Sequence, residues 1–219
     1  MPSRNSPSLL CYVTDRRALS DPADLIGRIA RAASAGIPWI QIREKDLSTR
    51  ELLALARAAV TVAAENSAPE SPVRIIVNDR LDVALAARAA GVHLAESSIP
   101  VAAVNEWRRR GVSTNAIMLG ASCHSVEAAR TAERDGADYV FFGPVFATPG
   151  KARFGPPQGL RRLEEVSRSV KIPVLAIGGI TAENAGECIA TGAAGIAAIR
   201  MFQEAGDLPA LAVGLHAAP

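Results

Sequence analysis

Two glycine-rich turns late in the sequence have the pattern of a phosphate-binding site. Gly178 and Gly179 end an apolar, strand-like run, and a second such run, 195–198, is followed by Ile199 and Arg200. Glycines let the backbone approach an anion closely, and the free N–H groups at the start of a following helix donate hydrogen bonds to it. The alternative is a pair of ordinary flexible turns. Because both turns coincide with strand ends, we predict a phosphate cradle at Gly178, Gly179, Ile199 and Arg200.

A second group of candidate ligand residues has the spacing of one strand face. Gln41 and Arg43 alternate within a β-rich run, and Lys45 continues their spacing just beyond it. Burying three long polar side chains is costly unless they meet a polar ligand or each other. We predict that all three bind substrate. The alternative is an internal salt-bridge network with Asp79 or Glu44.

Further polar residues follow other predicted strands. Asn78 and Asp79 stand where a strand becomes a helix, so Asp79 is either an N-terminal cap or a site residue. Thr148 and Lys151 lie in a long loop, 143–160, where they supply a hydroxyl group and a cation for an anionic substrate. Long loops of this kind often act as lids over an active site. We therefore add Asn78, Thr148 and Lys151 to the predicted substrate-binding residues.

The segments that position these residues alternate between short β-rich runs and amphipathic runs rich in Ala, Leu and Arg. Such alternation is typical of parallel βα units, and eight repeats predict an α/β fold, a single (β/α)8 TIM barrel. The predicted strands are 10–14, 39–43, 74–78, 91–94, 118–122, 139–143, 174–177 and 195–198. The clearest helical patterns are 25–34, 49–66, 81–89, 126–134 and 184–191. We expect residues 1–219 to form this one domain, with residues 1–8 as a loose tail.

Local signals mark where several helices begin and end. The predicted N-terminal caps are Asp21 before Pro22, Ser48 with Glu51, Ser125, and Thr181 with Asn184. The basic run Arg108–Arg110 is expected to end a helix in solvent, because cations favour a helix C-terminus and Gly111 follows as a stop.

Composition excludes several classes of function. The formal net charge is +2 over 219 residues, which gives no general attraction to nucleic acid or to an anionic membrane surface. Three widely spaced cysteines form no metal-binding pattern, and they fit a reducing cytoplasm. No apolar run is long enough to span a bilayer. The expected partner is a small molecule, and the sequence leaves open a monomer or a homodimer.

The motifs together resemble those of the thiamine phosphate synthase/TenI family, over nearly the whole chain. The matching segments are Tyr-Val-Thr-Asp (12–15), Gln-Ile-Arg-Glu-Lys (41–45), Val-Asn-Asp-Arg (77–80), Gly-Val-His-Leu (91–94), Gly-Ala-Ser-Cys-His-Ser (120–125), Gly-Pro-Val-Phe-Ala-Thr-Pro-Gly-Lys (143–151) and Ile-Gly-Gly-Ile-Thr (177–181). The resemblance implies a TIM barrel of thiamine biosynthesis that acts on a thiazole phosphate. It does not separate the two activities of the family.

One activity is the synthase, which joins a pyrimidine diphosphate to a thiazole phosphate and releases pyrophosphate held by Mg²⁺. The resemblance then assigns the diphosphate and the metal to Gln41, Arg43, Lys45, Asn78, Asp79 and Lys151. A second metal carboxylate is expected after the fourth strand, but the segment 95–98 places Ser98 there. A neutral hydroxyl is a far poorer Mg²⁺ ligand than a carboxylate. Glu96 would replace it only if the loop broke the strand parity.

The other activity is that of TenI, a thiazole tautomerase, which moves a proton and requires no metal. The resemblance makes His124 its candidate general acid/base, since histidine can give and take a proton near neutral pH. A structural role for His124 is the alternative, and His93 is interpreted mainly as structural. Cys123 should face away from His124, which argues against a Cys/His nucleophile pair. Because of Ser98, together with Thr-Pro-Gly-Lys (148–151) in the lid, we rank the tautomerase first, the synthase second, and a non-catalytic thiazole-phosphate binding or regulatory protein third.

Overall fold

A closed barrel of parallel strands forms the centre of the molecule. The structure is a computed structural model that describes residues 8–111, 117–148 and 156–217. Eight strands pair in sequence order, and β8 closes on β1, which confirms the predicted TIM barrel. The strands are β1 (Leu9–Val13), β2 (Trp39–Ile42), β3 (Arg74–Asn78), β4 (Gly91–Leu94), β5 (Met118–Cys123), β6 (Tyr139–Phe142), β7 (Val174–Ile177) and β8 (Gly195–Ala198). Their bounds differ from the predicted ones by a single residue at most at either end.

Helices cover the outside of the barrel and bury their apolar faces against it. They are α1 (Leu25–Ser34), α2 (Thr49–Asn66), α3 (Leu81–Ala86), α4 (Val101–Arg109), α5 (Val126–Asp135), α6 (Gly159–Ser169), α7 (Ala182–Ala190), α8 (Arg200–Gln203) and α9 (Leu208–Ala217). No helix in these described ranges is long and apolar enough to cross a membrane.

Alternate residues of each strand face inward, and these side chains fill the barrel. The bulky members of this inner cluster are Trp39, Tyr139 and Phe141, which are at most 7% exposed. The Trp39 and Tyr139 rings meet edge to face, with centroids 4.8 Å apart. Outward residues such as Leu10 and Val140 form a separate core with the helices. Large apolar and aromatic side chains therefore fill the lower part of the barrel.

Helix capping follows the sequence at some helices and departs from it at others. Ser48 and Glu51 form the predicted capping box of α2, and Ser125 caps α5. Asp21 accepts from the Ala23 N–H and so caps a short 3-10 turn, Pro22–Asp24, instead of α1. Helix α3 ends at Ala86, before the predicted Ala89, and α7 begins at Ala182, before the predicted Asn184. In both cases the spacing of apolar residues predicted the helix correctly. It did not predict the first or last residue, which depends on the adjoining turn.

The basic run at the end of α4 is less solvated than predicted. Helix α4 does end at Arg109, as expected. However, Arg108 pairs with Asp138 at 2.6 Å and donates to the carbonyl groups of Ile117 and Gly136. Arg108 thus ties α4 to the barrel, and the prediction of a solvent-facing residue is wrong at this position.

Candidate active site

Parallel strands place all their carboxyl ends at one end of the barrel, here called the mouth. The predicted site residues that follow strand ends therefore surround a single opening, although they are far apart in sequence. They are Gln41, Arg43, Lys45, Asn78, Asp79, His124, Thr148, Gly178, Gly179, Ile199 and Arg200. Lys151 lies outside the described residues.

The glycine turn after β7 has a backbone that other residues tolerate poorly. Gly178 and Gly179 both have positive φ, 97° and 69°. A Cβ on Gly179 would stand 2.7 Å from the carbonyl oxygen of Ala147 and from Cβ of Phe146. Asn184 holds the turn, because its amide donates to the Gly179 carbonyl at 3.0 Å and accepts from the Thr181 N–H at 2.9 Å. The turn is thus fixed in shape by Asn184, as the predicted cap requires.

The second turn of the predicted cradle follows β8. Ile199 and Arg200 begin the short helix α8, and Arg200 is exposed. Within the described ranges, neither the Gly179 nor the Ile199 N–H donates to a backbone carbonyl. These donors lie at the ends of adjacent strands, where an anion would satisfy them.

The loop after β6 runs across the first glycine turn. The Val145 N–H donates to the Ile177 carbonyl at 2.9 Å, and the Phe146 N–H donates to the Gly178 carbonyl at 3.0 Å. Thr148, partly buried, is the last residue of this segment that the structure describes. The segment that leads to the predicted lid residue Thr148 therefore packs on the glycine turn of the predicted cradle.

Gln41 faces the interior and is left with one unsatisfied atom. Its Nε2 donates to Asn78 Oδ1 at 3.0 Å, and the side chain is 2% exposed. Its Oε1 is buried with no hydrogen-bond partner among the described residues. A buried carbonyl oxygen without a donor is costly, so Gln41 is suited to accept a hydrogen bond from a bound molecule.

Glu44 is engaged by residues other than those considered in the sequence. It accepts from the Thr14 hydroxyl at 2.6 Å and from the Arg16 N–H at 3.1 Å, while the Arg16 side chain also binds Asp46. In the part of the chain that the structure describes, Arg43 and Lys45 form no ion pair. The alternative of a network joining these two cations to Glu44 or Asp79 is therefore wrong.

Sequence reasoning missed Thr14, Arg16 and Glu44 as a structural unit. The Thr14 hydroxyl also accepts from the Arg43 N–H at 3.0 Å, so one buried cluster joins the ends of β1 and β2. Glu44 was noticed only as a potential partner for cations next to it. The available signal was the position of Glu44 at the end of the strand, where its side chain points away from those of Arg43 and Lys45. A carboxylate buried on that side must find a hydrogen-bond donor elsewhere in the chain.

Asp79 points its carboxylate at the loop after β4. It has a positive φ of 67°, which is uncommon outside glycine and is tolerated best by Asp and Asn. Its Oδ1 accepts a hydrogen bond from Ser98, whereas α3 has Arg80 at its N-cap position with no side-chain cap. The capping alternative for Asp79 is therefore wrong. Residue 98 lies next to Asp79, as expected for two positions that would share one metal ion.

The Asp79 carboxylate and the Ser98 hydroxyl bring oxygen atoms, the ligands that Mg²⁺ prefers, close together. No three Cys, His, Asp or Glu side chains of the described residues cluster as a ready metal cage. Mg²⁺, however, is commonly held by one or two carboxylates together with substrate phosphates and water. Asp79 with the Ser98 hydroxyl fits that kind of site, in which a diphosphate completes the coordination.

His124 is held at the end of β5 through one of its ring nitrogens. Its Nδ1 is hydrogen-bonded to the Gly143 carbonyl oxygen, which can only accept, so Nδ1 carries the proton. Its Nε2 lies 3.9 Å from the Glu96 carboxylate, and the histidine side chain is 41% exposed. In its neutral form His124 therefore carries its lone pair on Nε2, on a side chain that is partly exposed at the carboxyl end of β5. Glu96, which was considered as a replacement for the metal carboxylate expected at position 98, thus lies near His124.

A second histidine lies below the mouth inside the barrel. His93 is 1% exposed, and its ring nitrogens lie 3.1 Å from the Tyr139 hydroxyl and 2.9 Å from the Ser122 hydroxyl. Burial, and to a lesser extent the charge of Arg43, lowers the pKa of His93 to about 3. His93 is thus a neutral, fully hydrogen-bonded residue, as its structural interpretation expects.

Cys123 faces the helix layer and not the mouth. It packs in the outer core, and burial raises the pKa of its thiol to about 12. A thiol in this state is a poor nucleophile. The expected absence of a Cys/His pair at 123 and 124 agrees with this arrangement.

Comparison with known proteins identifies the family. The family model described as thiamine monophosphate synthase matches residues 10–202. The chain belongs to the thiamine monophosphate synthase/TenI family. A thiamine-phosphate synthase of Roseiflexus castenholzii is 41% identical, over 91% of this chain and 82% of the relative. One of Methanocella arvoryzae is 44% identical, over 95% of this chain and 93% of the relative.

A solved structure of this family has the same fold. The thiamine phosphate pyrophosphorylase from Pyrococcus furiosus is 34% identical and has a TM-score of 0.79, covering 94% of this chain and 92% of its own. The predicted family and fold are thus confirmed. The names of the relatives support the synthase, which the sequence ranked second, better than the tautomerase, which it ranked first.

Proposed function

We propose that this family member is a thiamine-phosphate synthase, joining a pyrimidine diphosphate to a thiazole phosphate. The observation that carries the proposal is the identity of 41 to 44% to relatives named thiamine-phosphate synthase, over nearly the whole chain. In the reaction, a carbon–nitrogen bond forms to the thiazole as the carbon–oxygen bond to the diphosphate breaks. Pyrophosphate leaves with the electron pair of that bond.

The mouth offers distinct positions for the two substrates. The thiazole phosphate would bind the backbone donors at Gly179 and Ile199, with Arg200 beside them. Arg43 and Lys45 carry positive charge without an ion-pair partner in the described ranges, so both are available to the diphosphate. Lys151 and Thr148 would add a cation and a hydroxyl from the lid. Gln41 Oε1 would accept a hydrogen bond from the pyrimidine moiety.

Mg²⁺ would be held by Asp79, with the Ser98 hydroxyl as a weaker neighbour. When bound, such an ion neutralises the charge that collects on a departing diphosphate. With a single carboxylate, the affinity of the free enzyme for the ion should be low, and the diphosphate should raise it.

The activity test is formation of thiamine phosphate from hydroxymethylpyrimidine diphosphate and thiazole phosphate, followed with release of pyrophosphate. We expect turnover with Mg²⁺ and its loss on adding EDTA. Asp79→Asn should raise the Mg²⁺ concentration needed for half-maximal rate by about tenfold or more, since it removes the carboxylate charge. Glu165→Gln, which removes an exposed charge on α6, is the matched control and should change nothing. Absence of thiamine phosphate at any Mg²⁺ concentration would reject the synthase.

A thiazole tautomerase is the second candidate, and two observations favour it. Ser98 occupies the position where a second metal carboxylate is expected, and His124 is partly exposed at the end of β5 with its Nδ1 hydrogen-bonded to the Gly143 carbonyl oxygen. Proton transfer by one positioned histidine needs no metal.

The tautomerase reading predicts a different response to metal and to mutation. EDTA should leave thiazole isomerisation unchanged, and His124→Ala should lower its kcat by about 10² to 10⁴ with little change in substrate affinity. His216→Ala, which alters a histidine on α9, is the control. Isomerisation that survives in His124→Ala at the parent rate would rule out this role for His124.

A further inference from the structure

The last residue of α8 is a buried glutamine that joins the loops after β1 and β8. Gln203 is 3% exposed, and its partner Asp15 lies 188 residues away in the sequence. The Asp15 N–H donates to Gln203 Oε1 at 3.0 Å, and Gln203 Nε2 donates to the Asp15 carbonyl at 3.0 Å. The pairing of β1 with β8 itself ends at Tyr12 and Ala198. The side-chain amide of Gln203 therefore continues the connection between the two strands into the loops that follow them.

The main chain of Gln203 holds the turn that begins α8. Its N–H donates to the carbonyl group of Ile199 at 3.0 Å, and the Glu204 N–H donates to that of Arg200 at 2.8 Å. The Gln203 carbonyl accepts from Nη1 of Arg28, on α1, at 2.7 Å. Because α8 has only four residues, a shift of Gln203 would move its first turn as well. The predicted cradle residues Ile199 and Arg200 are thus tied to the loop after β1 through Gln203.

The loop after β1 has a second anchor, at the end of β2. The Arg16 N–H donates to the Glu44 carboxylate at 3.1 Å, and the Thr14 hydroxyl donates to the same carboxylate at 2.6 Å. The Thr14 hydroxyl in turn accepts from the Arg43 N–H at 3.0 Å. None of these contacts involves Gln203. Loss of the Gln203 amide should therefore displace α8 and leave Arg43 in place.

We propose that Gln203 is a positioning residue for the predicted phosphate cradle, which it serves by fixing the turn at Ile199. The proposal rests on the proposed function, in which the thiazole phosphate binds at Gly179 and Ile199. The peptide groups of Asp15 offer one donor and one acceptor, and a side-chain amide satisfies both. An ionised carboxylate can only accept, and an apolar side chain can do neither. Glutamine at this position is therefore required by the geometry of the turn.

The test is calorimetric titration of the whole protein with inorganic phosphate, well below the melting temperature. Gln203→Met keeps the length of the side chain and loses both hydrogen bonds, so we expect the Kd for phosphate to rise about threefold or more. Gln203→Asn keeps an amide that is too short to reach both groups of Asp15, and it should raise the Kd in the same direction. Gly179→Val, whose Cβ would meet the Ala147 carbonyl oxygen, shows how much of the heat comes from the cradle.

Asn105→Leu is the matched control for a general loss of stability. The Asn105 amide, on α4, donates to the carbonyl group of Asp135 at 2.9 Å, and Asp135 ends α5 before the amino end of β6, away from the mouth. This variant should lower the melting temperature and leave the phosphate affinity unchanged. Equal affinity in the parent and both Gln203 variants, or no phosphate binding by the parent, would overturn the proposal.

Turnover distinguishes a failure of this proposal from a failure of the proposed function. In the synthase reaction, Gln203→Met should raise KM for the thiazole phosphate about threefold or more, while kcat and KM for the pyrimidine diphosphate stay within about twofold of the parent. An equal rise in both KM values would mean a general distortion of the mouth and would also overturn the proposal. A parent that binds phosphate but forms no thiamine phosphate rejects the synthase alone, and the phosphate affinities then decide the role of Gln203.

Discussion

At the scale of single residues, the site depends on one buried carboxylate that does not face the substrate. The side chain of Glu44 is 1% exposed and binds the Thr14 hydroxyl and the Arg16 main chain. The Thr14 hydroxyl in turn holds the Arg43 N–H. Glu44 therefore helps to fix the main chain of Arg43 through Thr14, and we expect it to affect the substrate through Arg43.

We expect Glu44→Gln to keep the shape of this cluster but to lose its charge-assisted hydrogen bonds. The free energy of unfolding should fall by about 1 to 3 kcal/mol, and kcat/KM should fall more through KM than through kcat. Urea unfolding and steady-state kinetics measure the two effects. Asp46→Asn is the control, because Asp46 binds the same Arg16 from the exposed side and should leave KM unchanged. Equal KM values in the parent and Glu44→Gln would show that Glu44 positions nothing.

The surroundings of Glu44 could be predicted from the sequence only in part. The spacing of Gln41 and Arg43 was sufficient to place them toward the interior, because side chains alternate along a strand. The partner of Glu44 could not be predicted. Arg16 precedes it by 28 residues and lies in a 3-10 turn, Arg16–Ala18, that carries no periodic signal.

At the scale of secondary-structure elements, β5 and β6 approach closely because position 120 is glycine. A Cβ on Gly120 would overlap the ring of Tyr139, which is completely buried. The Tyr139 hydroxyl is hydrogen-bonded to His93 of β4. One glycine thus allows three strands to share a polar contact inside the barrel.

Gly120→Ala should therefore displace Tyr139 and break its contact with His93. We expect a loss of about 1 to 3 kcal/mol in the free energy of unfolding, as for other overpacked cores. Gly214→Ala is the matched control, because a Cβ there meets nothing within 4 Å. It should be neutral or stabilise α9 by up to about 1 kcal/mol. A Gly120→Ala protein as stable as its parent would show that Tyr139 has room to move.

Two of the helices that the sequence patterns did not single out have no amphipathic period. Helix α9 is apolar on nearly all sides, and Val213 is 70% exposed, so no amphipathic face marks this helix in the sequence. Helix α8 has four residues, which is too short for any periodicity. Helices α1 and α2 have a clear buried face, and their predicted bounds are those of the structure.

At the scale of the whole molecule, the barrel interior changes from apolar below to polar at the mouth. Trp39 and Tyr139 fill the lower part, and His93 stands at the boundary with Arg43 above it. Protonating His93 would place a second positive charge near Arg43 on a side chain that is buried inside the barrel. The buried His93 therefore links the stability of the barrel to pH.

The direction of this link follows from the pKa of His93. The folded state lowers that pKa from 6.5 to about 3, chiefly by burial, so the unfolded chain binds more protons between those values. The contribution of neutral His93 to the free energy of unfolding is fully present above pH 6.5, and it is lost as the pH falls below that value. At about 1.4 kcal/mol for each pH unit, lowering the pH from 7 to 5 should cost about 2 kcal/mol.

Urea unfolding at pH 7 and at pH 5 measures this loss directly. In His93→Gln, which cannot titrate, the difference between the two pH values should shrink by about 2 kcal/mol, whatever the stability of the variant at pH 7. His216→Gln on α9 is the control and should retain the difference of the parent. A parent protein that is equally stable at both pH values would show that His93 is protonated in the folded barrel, and the neutral His93–Tyr139–Ser122 network would have to be abandoned.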